Sequence, residues 1–198
     1  VSTTDTLTMN MAGFDFDGAT ADAFSGIETL NINTGSIVTN AATFADVLTM
    51  TASAGGTAGI VVTGANAITF TGVVTAGSID ASALTGVLTV TGVPANAINI
   101  KGGSAADAIK GSTGSDTITG NNGADTITSG TGSDSIILTE TVAAIDTIVS
   151  TIGTGYTTAA ADVIQGFTTG ATGDILQIDI SDSTAITNLG VMTAGDGA

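Results

Sequence analysis

Four aspartates recur every nine residues, at Asp107, Asp116, Asp125 and Asp134, and each is followed two positions later by an isoleucine, at Ile109, Ile118, Ile127 and Ile136. Carboxylates are the strongest side-chain ligands the chain has. Its 198 residues include no Cys, His or Arg, and just Lys101 and Lys110 stand against 16 Asp and two Glu. That excludes thiol and imidazole nucleophiles, a Ser-His-Asp relay, nitrogen- and sulfur-ligated zinc and any disulfide framework. A formal net charge of -16 makes the chain repel itself and argues against nucleic acid or anionic membrane partners, which are held by Lys and Arg. Oxygen-only ligands on a self-repelling chain point to hard cations, calcium before magnesium.

The elements that must position these aspartates are short. Residues 102–137 divide without gaps into the nonads GGSAADAIK, GSTGSDTIT, GNNGADTIT and SGTGSDSII. Each reads as a six-residue turn followed by a three-residue strand whose central isoleucine points inward. Glycine serves the turns, with Asn121 and Asn122 as the next most tolerant residues. Two nonads complete one coil, so the turns on one edge come from the first and third nonads and those on the other from the second and fourth. Asp107 then faces Asp125, and Asp116 faces Asp134. Each pair offers two carboxylates to one divalent ion and would otherwise repel or retain a proton. The competing reading is that these aspartates cap turns by accepting backbone amides; strict nine-residue phase with paired glycines favours the ion. For DFDG, residues 15–18, a solvated strand edge or local ion site is favoured over an acid/base pair.

The nonads resemble the repeat-in-toxin (RTX) calcium-binding family. The resemblance is specific over residues 102–137 and extends more weakly through DVIQGF and GDILQIDI. It implies a parallel β-roll with each calcium ion between turns two nonads apart. It also implies backbone carbonyl ligands: Gly103, Ala105, Gly120 and Asn122 join Asp107 and Asp125, and Ser112, Gly114, Ser129 and Thr131 join Asp116 and Asp134. Six oxygens per ion fall in the range calcium takes. Ala105 stands where the family has glycine, as do Ser112, Asn121 and Ser129, which carbonyl ligation tolerates. Position 143 is Ala and the preceding turn offers Asn96 and Ile98 where flanking turns would need an aspartate, so further sites are assigned only near Asp146, Asp162 or Asp174.

The fold class expected is all-β: a right-handed parallel β-roll or β-helix solenoid, with irregular N-terminal β coils and a short β closing segment. Residues 1–93 form a Thr/Ala/Gly-rich, solenoid-like β region, residues 94–150 the calcium-binding roll, and residues 151–198 the closing strands and a loose tail. Phe70, Ile79, Leu88, Ile100 and Ile109 carry the coil upstream of the metal loops. DTLTMNM, ETLNINTG and ADVLTMTAS alternate as strands of unassigned pairing. Short helices are expected over 20–24 or 41–45, and between Glu140 and Ala161 the nonad register fails. DVIQGF and GDILQIDI read as two closing strands joined by TTGATG. No apolar run reaches the roughly 18 residues of a membrane helix. A start at Val1 without Met suits a processed product or an excised piece.

FSGIETLNI and IDASALTGVLTV look like surface-layer proteins of the type I secreted class, as in Caulobacter-type lattices. That resemblance implies a non-enzymatic structural protein at the extracellular surface of a Gram-negative bacterium, assembling in a calcium-dependent way. Its partners are then copies of itself in a lattice or filament and a cell-surface polysaccharide anchor, with no nucleic acid and no membrane insertion. The alternatives are an RTX adhesin domain, the secretion module of an exported hydrolase, and an ice-binding solenoid using the Thr-x-Thr pairs 117/119 and 126/128.

Overall fold

A three-residue strand whose middle residue points inward has one core side chain, so a coil built from such strands closes around a single file of aliphatic residues from each side. The computed structural model describes residues 5–10, 22–36, 42–44, 48–51, 58–92, 96–151 and 161–179. In chain order the strands are β1 (Thr6–Asn10), β2 (Asp22–Ser25), β3 (Thr29–Asn33), β4 (Ala42–Phe44), β5 (Leu48–Thr51), β6 (Gly59–Gly64), β7 (Ile68–Phe70), β8 (Ser78–Leu84) and β9 (Leu88–Val90). They continue as β10 (Asn99–Lys101), β11 (Ala108–Lys110), β12 (Thr117–Thr119), β13 (Thr126–Thr128), β14 (Ser135–Ile137), β15 (Thr147–Thr151), β16 (Val163–Gln165) and β17 (Ile175–Asp179). A single 3-10 turn covers Thr34–Ser36, and no α-helix occurs among the described residues.

Successive strands alternate between two parallel sheets. One runs β1-β3-β6-β8-β10-β12-β14-β16 and the other β17-β15-β13-β11-β9-β7-β4, with β2 and β5 in a small third pair. This is a parallel β-solenoid, in agreement with the fold class read from the nonads. In the first sheet Ile60, Ile79, Ile100, Ile118, Ile136 and Ile164 stack in direct register. In the second, Val90, Ile109, Ile127, Ile148 and Leu176 do the same. The four nonad isoleucines are at most 2% exposed and share one core with Ile60, Ile79, Leu88 and Val90. Each fully buried aliphatic side chain contributes about 1.5–3 kcal/mol.

The coil does continue upstream of the metal loops, although Phe70 registers with Val90 and Ile68 with Leu88, two positions away from a strict count of nine. The expectation of short helices is corrected. Within the stretches read as short helices, 20–24 and 41–45, the described residues lie in strands: β2 pairs in parallel with β5, and β4 with β7. Such short Ala-rich runs cannot meet the cost of nucleating a helix, whereas a parallel neighbour offers hydrogen bonds at once. The loss of nonad register after Glu140 does not end the coil, because β15 pairs with β13 before the chain reaches β16. The closing strands β16 and β17 lie on different sheets and pair with β14 and β15, respectively. The Thr-x-Thr pairs likewise divide between sheets, since β12 belongs to the first and β13 to the second, so they do not build one flat threonine face. DFDG and the tail from residue 183 fall outside the described residues.

Candidate metal centre

Each turn ends on an aspartate immediately before its strand, and the fixed register of the coils stacks these aspartates along two edges. On one edge the N–H of Asp107 donates to Oδ1 of Asp125 at 2.8 Å, that of Asp125 to Oδ1 of Asp146 at 2.8 Å, and that of Asp146 to Oδ1 of Asp174 at 2.9 Å. On the other, the N–H of Asp116 donates to Oδ1 of Asp134 at 2.9 Å and that of Asp134 to Oδ1 of Asp162 at 3.0 Å. Both ladders stop against apolar residues. Leu88 and Ile98 take the aspartate position in the preceding coils, and their N–H groups donate to Oδ1 of Asp107 and of Asp116, each at 2.8 Å.

Turn capping therefore accounts for one oxygen of every aspartate in the ladders. The second oxygens differ. Asp107 Oδ2 accepts the Gly103 N–H at 2.6 Å, and Asp116 Oδ2 accepts the Ser112 N–H at 2.5 Å while Ser112 Oγ donates to its Oδ1 at 2.7 Å. Oδ2 of Asp125, Asp134 and Asp146 is buried with no hydrogen-bond partner. An unpaired buried carboxylate oxygen is costly, and the electrostatics follow. Burial first, then the negative charges of Asp107, Asp146 and Glu140, push the Asp125 carboxyl up to about 8. Burial, then Asp162 and Asp116, raise Asp134 to about 6; burial, then Glu140 and Asp174, raise Asp146 to about 6. Burial also raises Asp107.

The carbonyls named from the resemblance lie in the same turns, packed coil on coil. The Ala105 carbonyl abuts Gly123, whose φ of +120° and lack of a side chain both matter: a methyl there would collide with that oxygen. The carbonyls of Gly114, Ser112, Gly120 and Ser129 likewise abut Gly132, Gly130, Gly102 and Gly111. A methyl on Gly103 would strike the Leu84 carbonyl. The Ser112 carbonyl also accepts the Thr131 N–H at 3.3 Å, which leaves it a second lone pair. Asn122 sits beside Asn121, which adopts φ of 67° and donates from Nδ2 to the Gly102 carbonyl at 2.7 Å. Among the described residues no group of three or more carboxylates is gathered as a ready metal cluster. A site with two carboxylates completed by backbone carbonyls does not need one.

Asp146, Asp162 and Asp174 join the ladders although none keeps the nine-residue phase. Their signal is the retained Asp-x-aliphatic step in DTI, DVI and DIL. Glu140 has no counterpart in the sequence reading. Its Oε2 accepts the Ala144 N–H at 2.7 Å and its Oε1 is buried without a partner.

Residues 101–136 match the RTX calcium-binding nonapeptide repeat, in four copies. These are RTX repeats. RTX repeats bind calcium, and the stacked carboxylates fit that ion: hard oxygen donors, some buried and unpartnered, with no cationic side chain in these turns. When bound, calcium supplies the positive charge that the stack lacks. The match takes in Asp107, Asp116, Asp125 and Asp134, and leaves Asp146, Asp162 and Asp174 beyond it. No curated protein and no solved structure matches the chain.

Proposed function

We propose that the protein is a structural component of a bacterial surface layer, folded outside the cell by calcium and assembled there with copies of itself. The observation that carries this reading is the set of buried, unpartnered oxygens on Asp125, Asp134 and Asp146. A chain of net charge -16 that buries such groups gains most from an ion available outside the cell. Extracellular calcium modules bind at about 10⁻⁴–10⁻³ M. A site at ten times its dissociation constant adds about 1.4 kcal/mol, so two nonapeptide sites, on Asp107 with Asp125 and on Asp116 with Asp134, matter to a marginally stable fold.

RTX repeat proteins are typically secreted by Gram-negative bacteria, and repeat solenoids of this kind are typically structural rather than enzymatic. Self-association is supported by the outermost described strands. Val163 on β16 and Ile175 on β17 are 54% and 52% exposed, apolar residues on neighbouring ends of the two sheets. Contacts between unlike ends of a solenoid are heterologous and generate filaments or lattices where the rotation between copies does not close. A cell-surface polysaccharide is the anchor in this reading. Electron microscopy of the protein with calcium and with chelator tests it: sheets or filaments in calcium alone are expected, and dispersed monomers in both conditions overturn it.

A further inference from the structure

We propose that Glu140 and Asp146 hold a divalent cation of calcium's class in the widened turn 138–146, beyond the RTX match. The inference rests on the reading of stacked turns as cation sites and extends it to a turn without the nonapeptide pattern. Ile137 registers with Thr119, so the turn after β14 starts where the turn after β12 does. Leu138 thus corresponds to Gly120 and Glu140 to Asn122. The two turns also end alike, because Thr147 registers with Thr126, leaving Asp146 below Asp125.

Between those fixed ends the chain carries extra residues, and hydrogen bonds hold them in place. Asn122 Oδ1 accepts the N–H and Oγ1 of Thr141, both at 2.8 Å, and the Val142 N–H at 3.3 Å. This docks the widened turn onto the last glycine- and asparagine-rich turn before it. The Ala144 N–H then fixes Glu140 through Oε2. Oε1 is left sealed from solvent and unbonded. In the same turn Asp146 is 0% exposed, with Oδ1 held by Asp125 N–H and Oδ2 unbonded.

Two carboxylates each presenting a dry, unpaired oxygen are relieved by a cation or by a shared proton, and a divalent ion is the partner proposed. The chain's two lysines lie elsewhere, on β10 and β11. A carboxylate has thus taken the turn position whose counterpart is the proposed Asn122 carbonyl ligand, which adds charge and favours a divalent over a monovalent ion.

Native mass spectrometry of the full chain, titrated with calcium alone, tests the site. Glu140→Gln keeps an oxygen for the Ala144 N–H and removes the charge. The expected result is one bound calcium fewer than wild type, with the remaining ions retained. The same number of ions in both proteins, as when a shared proton joins the two carboxyls, overturns the proposal while leaving the nonapeptide sites standing. A wild-type chain that takes up no calcium overturns both readings. Crystals of the wild-type protein grown in calcium decide without a variant: anomalous density between Glu140 and Asp146 supports the site, and density confined to the nonapeptide turns refutes it.

Discussion

The backbone N–H of Asp107 donates to the Oδ1 of Asp125, 18 residues on, at 2.8 Å, while the other oxygen of Asp125 is buried without a partner. One carboxylate thereby has two jobs. Oδ1 ties adjacent coils together, and Oδ2, once the carboxyl ionises, carries charge that the protein alone leaves unbalanced.

Separating those jobs gives the first prediction. Asp125→Asn keeps an oxygen for the Asp107 N–H and removes the charge, so the calcium-free protein melts at the wild-type temperature or higher, and the added stability from calcium shrinks. Asp125→Ala leaves the Asp107 N–H unsatisfied and destabilises both forms by about 1–3 kcal/mol. Thermal melts of both variants, with calcium and with chelator, check this. Equal calcium responses in Asp125→Asn and wild type contradict it.

The pH dependence has a definite sign. In the calcium-free protein the Asp125 carboxyl is raised to about 8, and Asp134 and Asp146 to about 6, by burial and by neighbouring Asp107, Asp116, Asp162, Asp174 and Glu140. The folded state therefore binds more protons than the unfolded chain above the ordinary carboxylate range. Stability from these groups is complete below about 4, an unfolded aspartate's value, and falls as pH rises through about 6 to about 8. Calcium affinity runs the other way and increases over that window as protons leave. Denaturant titrations in chelator and calcium titrations at matched pH values measure the two slopes, which must be opposite.

Backbone contact between coils is tested at Gly123. An alanine there is strained at φ of +120° and drives its methyl into the Ala105 carbonyl. A loss of about 1–3 kcal/mol is expected in chelator from the strain. The loss in calcium is larger, because the displaced oxygen is one of the proposed ligands. Identical losses in both conditions would remove Ala105 from the ligand set.

Much of this arrangement is legible in the sequence because a nonad fixes both turn and strand length. Asp107, Asp116, Asp125 and Asp134 then repeat with the isoleucines they precede, and the two edges follow from counting. That logic lapses where turn length varies. The partners of Asp125 and Asp134 in the next coil lie 21 and 28 residues on. Asp146 and Asp162 therefore leave the phase but keep the Asp-x-aliphatic step that the register requires. Upstream, Leu7 pairs with Leu30 and Leu30 with Ile60, unequal steps that no period announces. The Ala-rich runs before Phe24 and Phe44 offered local helix propensity, and non-local parallel pairing overrode it. Glu140 was invisible for a related reason. Its placement comes from the turn folding back on Asn122 and from the Ala144 N–H, neither of which the nonad pattern announces.

The aliphatic stack sets the calcium-independent part of stability. Ile118 is 0% exposed and lies between Ile100 and Ile136 in one rung file. Ile118→Ala removes buried methylenes from a close-packed core, at a cost of about 2–5 kcal/mol. Saturating calcium offsets part of this loss without restoring wild-type stability. Denaturation midpoints for the variant over a calcium series check it, and full recovery in calcium contradicts the division between core and ions.

The central claim is that cations bound at the stacked aspartate turns balance charge that the polypeptide cannot. Far-ultraviolet circular dichroism of the full chain, melted in chelator and across a calcium series, tests it most directly. The predicted result is loss of β signal or a depressed midpoint in chelator, with a midpoint that climbs steadily as calcium rises. A spectrum and a midpoint that are the same with and without calcium would contradict the account.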